Sequence, residues 1–128
     1  MEPAREAEEE EVDVIWDENG TARYRILKDM RLVDFDGHNL AWLDDQGNII
    51  DYEGRHRAFY ENGIVRDSDG SVVGLGKDPI GPHPVLPSKS LIPQSIKPEP
   101  APKKPKAKNI MKKPQASLLW SKKIFEEL

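Results

Sequence analysis

Two short runs of the sequence begin like calcium-binding loops, with paired carboxylates before a glycine. Residues 34–37 and 67–70 both read Asp-x-Asp-Gly. An EF-hand loop also needs a bidentate Glu six residues after its glycine, because Ca²⁺ prefers six or more oxygen ligands. Leu43 and Gly76 stand at that position here. We therefore interpret these aspartates as turn residues and predict no metal site.

The histidines and serines are the remaining candidates for chemistry. His38 and His56 each follow a turn glycine, and His83 lies among prolines. A metal site needs at least three convergent ligands and acid–base catalysis needs a positioned partner, and neither pattern surrounds them. The serines lack a nucleophile elbow, and cysteine is absent, which excludes disulfides and thiolate ligands. We therefore expect no enzyme activity, no catalytic residues and no cofactor.

Charge divides the chain into two parts. Residues 1–78 contain 20 Asp and Glu against 9 Lys and Arg, whereas residues 79–128 contain 10 Lys against 3 Glu. Ten of the 11 prolines lie at or after Pro79. Such a stretch favours extended, solvated conformations over a core. The sequence therefore predicts an acidic folded body and a basic disordered tail.

The sequence carries no membrane or export signal. No apolar run reaches the length of a transmembrane helix. Residues 8–11 are all Glu, the reverse of the basic and then apolar start of a signal peptide. We therefore expect a cytoplasmic protein without a transmembrane segment.

The acidic body is an internal repeat. Four Asp-x-x-Gly motifs occur in it, with glycines 17, 17 and 16 residues apart. The motif glycines are Gly20, Gly37, Gly54 and Gly70. The aliphatic residues five positions before them are Ile15, Leu32, Ile49 and Val65. In each motif Asp can accept backbone hydrogen bonds and Gly supplies a positive φ, which predicts four β-hairpins.

Four hairpins in succession predict a closed all-β structure. A lone hairpin is only marginally stable in water, whereas four that close on themselves bury a shared face and leave no open edge. We therefore predict a shallow pseudo-fourfold barrel over residues 13–80, with the aliphatic column in its core. Bulky residues five positions after the last three glycines are predicted to join this core or to form a ligand-binding column. They are Trp42, Phe59 and Leu75.

With these columns aligned, the chain resembles the four-fold β-flower family. The resembling residues are 40–43, 48–54 and above all 60–74, which read YENGIVRDSDGSVVG. The resemblance extends over about residues 14–78 and does not reach the tail. It implies short antiparallel hairpins arranged like petals around a pseudo-fourfold axis. It implies no activity and brings no catalytic residues.

The remaining parts of the chain are predicted from composition. Residues 1–12 are an acidic disordered N-terminus, and residues 81–116 are a Pro/Lys-rich disordered linker. Residues 117–128 are again apolar, and we expect a short amphipathic helix or docking peptide there. Trp120, Ile124 and Leu128 stand at helical spacing and Phe125 extends their face.

The apolar segment 117–128 suggests the function. Twelve residues form a marginal helix in water, so this face needs a partner. Docking on its own domain and recruiting another protein are both open. We favour a non-enzymatic binding or adaptor protein whose tethered segment recognises a protein partner through Trp120, Ile124, Phe125 and Leu128.

Two alternatives remain at the level of sequence. The column Trp42, Phe59 and Leu75 could bind a small ligand or a lipid surface. The lysines of the tail could associate weakly with nucleic acid, although interleaved aromatics and a folded basic face are missing.

Overall fold

Eight short strands alternate with the turns that the repeat predicts. The computed structural model describes residues 11–85 and 88–128. The strands are β1 (Glu11–Trp16), β2 (Ala22–Leu27), β3 (Arg31–Asp34), β4 (Asn39–Leu43), β5 (Asn48–Ile50), β6 (His56–Glu61), β7 (Ile64–Arg66) and β8 (Val72–Leu75). Each strand pairs antiparallel with the next, and β8 returns to β1 where Leu75 pairs with Trp16. The predicted closed, all-β fold of four hairpins is therefore confirmed.

Two further expectations concern the N-terminus of the chain and the absence of a transmembrane segment. Residues 1–10 of the predicted acidic, disordered N-terminus lie outside the described residues. Its last two residues, Glu11 and Val12, belong to β1, so the prediction is wrong for them. Within the described residues, no helix combines the length and the apolar character needed to cross a membrane.

Aspartate side chains hold the predicted turns together. Asp51 Oδ1 accepts hydrogen bonds from the backbone N–H groups of Glu53 and Arg55, both at 2.9 Å. The aspartates of the other three motifs accept the same pair of bonds. Gly54 ends its turn with a φ of +87°, a conformation that favours glycine. The motif therefore forms a turn for the reason that the sequence indicates.

The aliphatic column fills the interior of the barrel. The buried interior cluster contains the four aliphatic residues of the repeat, Ile15, Leu32, Ile49 and Val65, together with Ala41 and Ala58. Gly74 takes the corresponding small position in the last repeat, where a Cβ would lie 2.3 Å from Ile15 Cγ2. Small residues are therefore required where neighbouring strands converge, and the predicted core column is confirmed.

Each Asp-x-x-Gly hairpin carries a β-bulge close to its turn. In the first hairpin Ile15 pairs with Tyr24 and Trp16 pairs with Ala22, so Arg23 is the extra residue. The extra residues of the four hairpins are Arg23, Leu40, Arg57 and Val73. A bulge changes the direction of a side chain, and these four lie at one end of the barrel beside the four turns. We call this end the barrel mouth.

The basic tail is not disordered, and the prediction of a disordered tail is wrong. Residues 88–128, which we call the strap, run around the outside of the barrel in an extended conformation that ends in a 3₁₀ turn at Phe125–Glu127. Composition misled here because a Pro/Lys-rich chain cannot bury a core of its own, yet it can be ordered by a surface that is already folded. Its prolines restrict φ beforehand, which lowers the entropy lost on ordering.

The strap contacts the four repeats at regular intervals. At every ninth residue its backbone N–H donates a hydrogen bond to the carbonyl of a turn glycine. The donors are Ser90, Glu99, Lys108 and Ser117, and the acceptors are Gly20, Gly37, Gly54 and Gly70, at 2.7, 2.9, 2.8 and 3.2 Å. Nine extended residues of strap therefore correspond to one hairpin of barrel.

The strap covers apolar side chains on the outer face of the barrel. Ala41 and Ala58 point into the barrel. Because neighbouring residues of a strand point to opposite faces, the residues that follow them, Trp42 and Phe59, point outward. Leu75 is also fully buried outside the interior cluster, where it packs with the strap. The predicted column is therefore located under the strap and not in the barrel interior.

Candidate functional site at the barrel mouth

One aromatic side chain of the strap is inserted into the barrel mouth. Phe125 is 3% exposed and belongs to the same apolar cluster as the barrel interior. Its ring meets the Tyr24 ring edge-on, with 6.0 Å between centroids, and the guanidinium carbon of Arg57 lies 5.6 Å from its centroid. Tyr24 belongs to the first hairpin and Arg57 to the third, which lie opposite each other in a ring of four. Phe125 therefore lies across the barrel axis.

Arg57 holds the backbone of the inserted segment. Its Nη2 donates to the carbonyl oxygens of Phe125 and Glu126, at 3.4 and 3.3 Å. Its Nη1 donates to Asp51 Oδ2 at 2.8 Å, which fixes the guanidinium against the third turn. Burial alone would raise the pKa of Asp51, but the hydrogen bonds from Arg57 and from the turn outweigh it and lower that pKa. Asp51 therefore remains a carboxylate that positions Arg57.

Tyr24 recognises the acidic residue that follows the inserted ring. Its hydroxyl donates a hydrogen bond of 2.6 Å to Glu126 Oε1. Burial raises the pKa of the Tyr24 phenol, and the hydrogen bond to Glu126 and the negative charge of Glu126 raise it further. The phenol therefore stays protonated and remains a donor. Together the mouth provides an apolar pocket for an aromatic ring, one guanidinium nitrogen that donates to two successive backbone carbonyls, and one hydroxyl that donates to the next carboxylate.

Segment 117–128 divides into two faces without forming the predicted α-helix. The N–H of Val72 donates a hydrogen bond to the carbonyl of Leu119, and the N–H of Ser121 donates one to the carbonyl of Val72, both at 2.8 Å. This part of the segment is therefore extended. The only helical piece in the described segment is a 3₁₀ turn at Phe125–Glu127. Backbone pairing with β8 replaces the helix because an extended strap can use donors and acceptors of the barrel.

The four residues predicted to bind a partner are distributed over these two faces. Trp120 packs against the outer cluster of Ile64, Val72 and Leu75, and Leu128 packs against the interior cluster beside Phe125. Ile124 points to solvent and is 45% exposed. Leu118 and Leu119, which the sequence did not single out, are 63% and 69% exposed. The outward face is therefore aliphatic, and Lys122 and Lys123 on it are exposed as well.

A cleft of about 480 Å³ separates the end of the strap from the third and fourth hairpins. His56 and Arg57 line it from β6, Asp67 from the fourth turn and Lys122 from the strap. His56 Nδ1 accepts a hydrogen bond from the N–H of Met111, and Nε2 donates to the carbonyl of Ala58, both at 2.9 Å. Burial lowers the pKa of His56. The neutral imidazole therefore joins the strap to β6.

The residues that resemble a calcium loop come together with one histidine. Ligand atoms of Asp34, Asp36 and His38 lie within 4.8 Å of one another, and all three residues are at least partly exposed. Asp34 Oδ1 accepts the two backbone bonds of the turn, and Oδ2 is 2.9 Å from His38 Nδ1. The arrangement is accounted for by the turn itself. The hydrogen bond with Asp34 and its negative charge raise the pKa of His38.

The residues that form the mouth were missed by the sequence reasoning. Neither Tyr24 nor Arg57 was among the candidate residues. A signal for Arg57 was present, because the residue three positions after each turn glycine forms a column of its own, which the structure identifies as the bulges. The nine-residue spacing of the strap has no comparable signal, since it is a spacing of backbone contacts.

Comparison with known families decides the identity of this architecture. A family model described as 4-fold beta flower protein matches residues 13–128. The chain belongs to this family. No curated protein and no solved structure matched the chain. The match includes the strap, whereas the resemblance in the sequence extended only to about residue 78, so the β-flower domain comprises both the barrel and the strap.

Proposed function

We propose that this β-flower protein is a non-enzymatic binding protein that captures a partner protein through the outward face of segment 117–128. The observation that supports the proposal is the division of the segment into two faces. Trp120 and Phe125 attach the segment to the barrel, while Leu118, Leu119 and Ile124 are exposed.

The chemistry of this outward face indicates the kind of partner. Exposed aliphatic side chains that lie close together are typical of interaction surfaces. Lys122 and Lys123 flank them and add two positive charges. A protein surface with an apolar patch and neighbouring carboxylates complements such a face. The barrel holds the segment in a fixed conformation, which lowers the entropy cost of binding.

A pair of matched leucine variants tests the proposal. Leu119→Ser removes an exposed leucine from the outward face, and Leu91→Ser removes one that is 93% exposed elsewhere on the strap. Full-length wild type and both variants are immobilised, and proteins captured from host cells are quantified against one another. We expect at least one partner to be reduced about tenfold by Leu119→Ser and unchanged by Leu91→Ser, which corresponds to about 1.4 kcal/mol.

Site-specific cross-linking provides the decisive control. A photo-reactive residue at position 118 should cross-link to the captured partner, and the same residue at position 91 should not. Equal capture by all three proteins, or cross-links that favour position 91, would refute the role of segment 117–128.

The ordered strap favours a second candidate function, association with a polyanion such as nucleic acid. Four exposed lysines lie within six residues of the strap, Lys103, Lys104, Lys106 and Lys108. This part of the strap is held along the barrel by the backbone hydrogen bonds from Glu99 to Gly37 and from Lys108 to Gly54, so its lysines form a basic face of fixed shape. Binding that persists in a gel-shift assay at about 0.2 M salt would support this function, because non-specific phosphate contacts weaken steeply there.

The ligand column on Trp42, Phe59 and Leu75 receives no such support. Phe59 and Leu75 are buried beneath the strap. The amino group of Lys104 lies 5.3 Å from the centroid of the Trp42 ring and covers it. A ligand or lipid surface would have to displace the strap before it reached this column.

A further inference from the structure

We infer that the barrel mouth is a binding site for short peptides in which an aromatic residue is followed by an acidic one, and that Phe125 and Glu126 are the ligand which the chain supplies to itself. This inference is independent of the function proposed above. It concerns the surface that segment 117–128 covers, whereas the proposed partner binds the surface that the segment presents.

The contacts at the mouth select this chemistry at three points. The aromatic ring is received by an apolar cluster and is bordered by Tyr24 and by the guanidinium of Arg57. A cation over a ring favours an aromatic occupant over an aliphatic one. The next residue is read by the Tyr24 hydroxyl, which donates to the Glu126 carboxylate at 2.6 Å. A charged acceptor strengthens such a bond relative to a neutral one.

The barrel mouth also binds the backbone of the peptide that occupies it. Arg57 Nη2 lies within hydrogen-bond distance of two successive carbonyl oxygens, those of Phe125 and Glu126. Its Nη1 is anchored on Asp51, so the guanidinium is positioned by the barrel and not by the occupant. A peptide from another chain would find the same donors in the same place.

The chain's own ligand is attached in a way that permits replacement. The last backbone bond between the strap and the strands is donated by Ser121 to Val72. Beyond it, residues 122–124 and 126–127 are all exposed, and Phe125 is the one fully buried side chain of the described segment after that bond. Withdrawal of residues 122–128 would therefore vacate the mouth while the rest of the strap keeps its contacts.

The test uses a short peptide with the sequence of residues 123–128, Lys-Ile-Phe-Glu-Glu-Leu, with blocked ends and a fluorophore. The protein is the full chain, either wild type or with Phe125→Ala, which empties the ring position. We expect fluorescence anisotropy to show saturable binding to Phe125→Ala at least tenfold tighter than to wild type, because the internal ligand competes in wild type. A peptide with Ala in place of its Phe should bind at least tenfold more weakly.

One further variant and one altered peptide separate specific recognition of the acidic residue from non-specific hydrophobic binding. Tyr24→Phe, introduced into the Phe125→Ala protein, removes the hydroxyl that meets the acidic residue. It should weaken binding of the peptide severalfold, and it should have no further effect on a peptide whose first Glu is replaced by Ala, because that peptide offers no acceptor to the Tyr24 hydroxyl. Equal binding of the Phe and Ala peptides, or absence of saturable binding to a folded Phe125→Ala protein, overturns the inference.

Wild-type protein covers the case in which Phe125→Ala does not fold. A peptide with benzoylphenylalanine in place of Phe is irradiated with the wild-type chain, and cross-linked residues are mapped. Cross-links to Tyr24, Leu40 or Val73 that unlabelled peptide suppresses support the inference. Cross-links confined to other parts of the barrel or the strap overturn it.

Discussion

The barrel and the strap are both ordered, but they are ordered by different means. Every strand of the barrel pairs with its two neighbours, and side chains from all eight strands meet in its interior. The strap donates one backbone hydrogen bond to a turn glycine for every nine residues and packs on a surface that already exists. Order created by local pairing leaves a repeating pattern in the sequence. Order obtained from another part of the chain leaves almost none.

The largest expected effect comes from opening the barrel interior. Ile49→Ala removes a fully buried side chain of the interior cluster, and such a change typically costs about 2–5 kcal/mol of unfolding free energy. Because the strap depends on the barrel, we expect both to unfold in one transition at lower urea concentration. Circular dichroism should follow the strands and tryptophan fluorescence the strap, since Trp16 of the barrel bonds to Ser90 of the strap and Trp120 of the strap packs on the barrel.

Val12→Ala is the matched control for this variant. Val12 is an aliphatic residue of β1 that is 51% exposed, and its loss should change the free energy of unfolding by less than about 0.5 kcal/mol. Strap fluorescence that survives the loss of the strands in Ile49→Ala would contradict the dependence of the strap on the barrel.

A smaller effect is expected when the strap alone is displaced. Gly70 has a φ of +85°, and a Cβ at this position would lie 2.0 Å from the carbonyl oxygen of Gln115. Gly70→Ala should therefore cost about 1–3 kcal/mol and push the neighbouring strap away. Hydrogen exchange should become faster at the amide of Ser117, which bonds to Gly70, while the amides of β5 and β6 keep their protection.

Gly81→Ala separates backbone strain from the close approach of the strap. Gly81 also has a positive φ, +109°, but no atom lies within 4 Å of a Cβ built there. This variant should carry the strain without displacing the strap, so the exchange of Ser117 should remain as in wild type. The same increase in both variants would mean that strain, and not the strap contact, is responsible.

The extent to which the sequence predicted this structure follows the same division. Asp51 and Gly54 could be interpreted correctly because the turn is made by residues four positions apart or fewer. The barrel core could be predicted because Ile49 repeats Ile15 at a fixed distance from a glycine. Strands of three to six residues gave no reliable assignment of faces, so Trp42 was placed in the interior although it lies outside.

The candidate site was the less predictable part for a physical reason. Phe125 was predicted as one of four partner-binding residues, but Tyr24, to which it docks, stands 101 positions earlier in the sequence. No local pattern links two residues that meet only after a barrel has closed and a strap has passed around it. The sequence left open whether segment 117–128 docks on its own domain, and the structure places Phe125 and Leu128 against the barrel interior cluster.

Acidification should loosen one contact of the strap. His56 accepts the Met111 N–H only when its Nδ1 is unprotonated. Burial lowers the pKa of His56 below its ordinary value of 6.5, so the unfolded chain takes up a proton more readily than the folded one. This contribution to stability is therefore complete above about pH 6.5 and declines as the pH falls below it. The Met111 amide should lose protection severalfold between about pH 7.5 and 5.5, after correction for intrinsic exchange.

Two histidine variants sharpen this prediction. His56→Asn keeps an acceptor near the Nδ1 position without a titrating ring, and the pH response of Met111 should vanish. His38→Gln removes an exposed histidine whose pKa is raised by Asp34, a shift of opposite sign, and the response of Met111 should remain. A response that persists in His56→Asn would assign the titration to another group.

The smallest expected effect concerns charge, which at first sight explains why a basic strap lies on an acidic barrel. Among the described residues, Lys113 is the one strap lysine that forms an ion pair with a barrel carboxylate, that of Glu61, and both side chains are more than half exposed. Exposed pairs contribute about 0–1 kcal/mol. Lys113→Ala should therefore change the free energy of unfolding by no more than about 0.5 kcal/mol, and Lys112→Ala, its exposed neighbour, by the same amount.

The exchange protection of the Lys108 and Ser117 amides should survive about 0.5 M salt, since backbone bonds to the turn glycines and buried side chains are screened little. Loss of this protection in salt would mean that charge attraction, and not the regular contacts with the barrel, holds the strap.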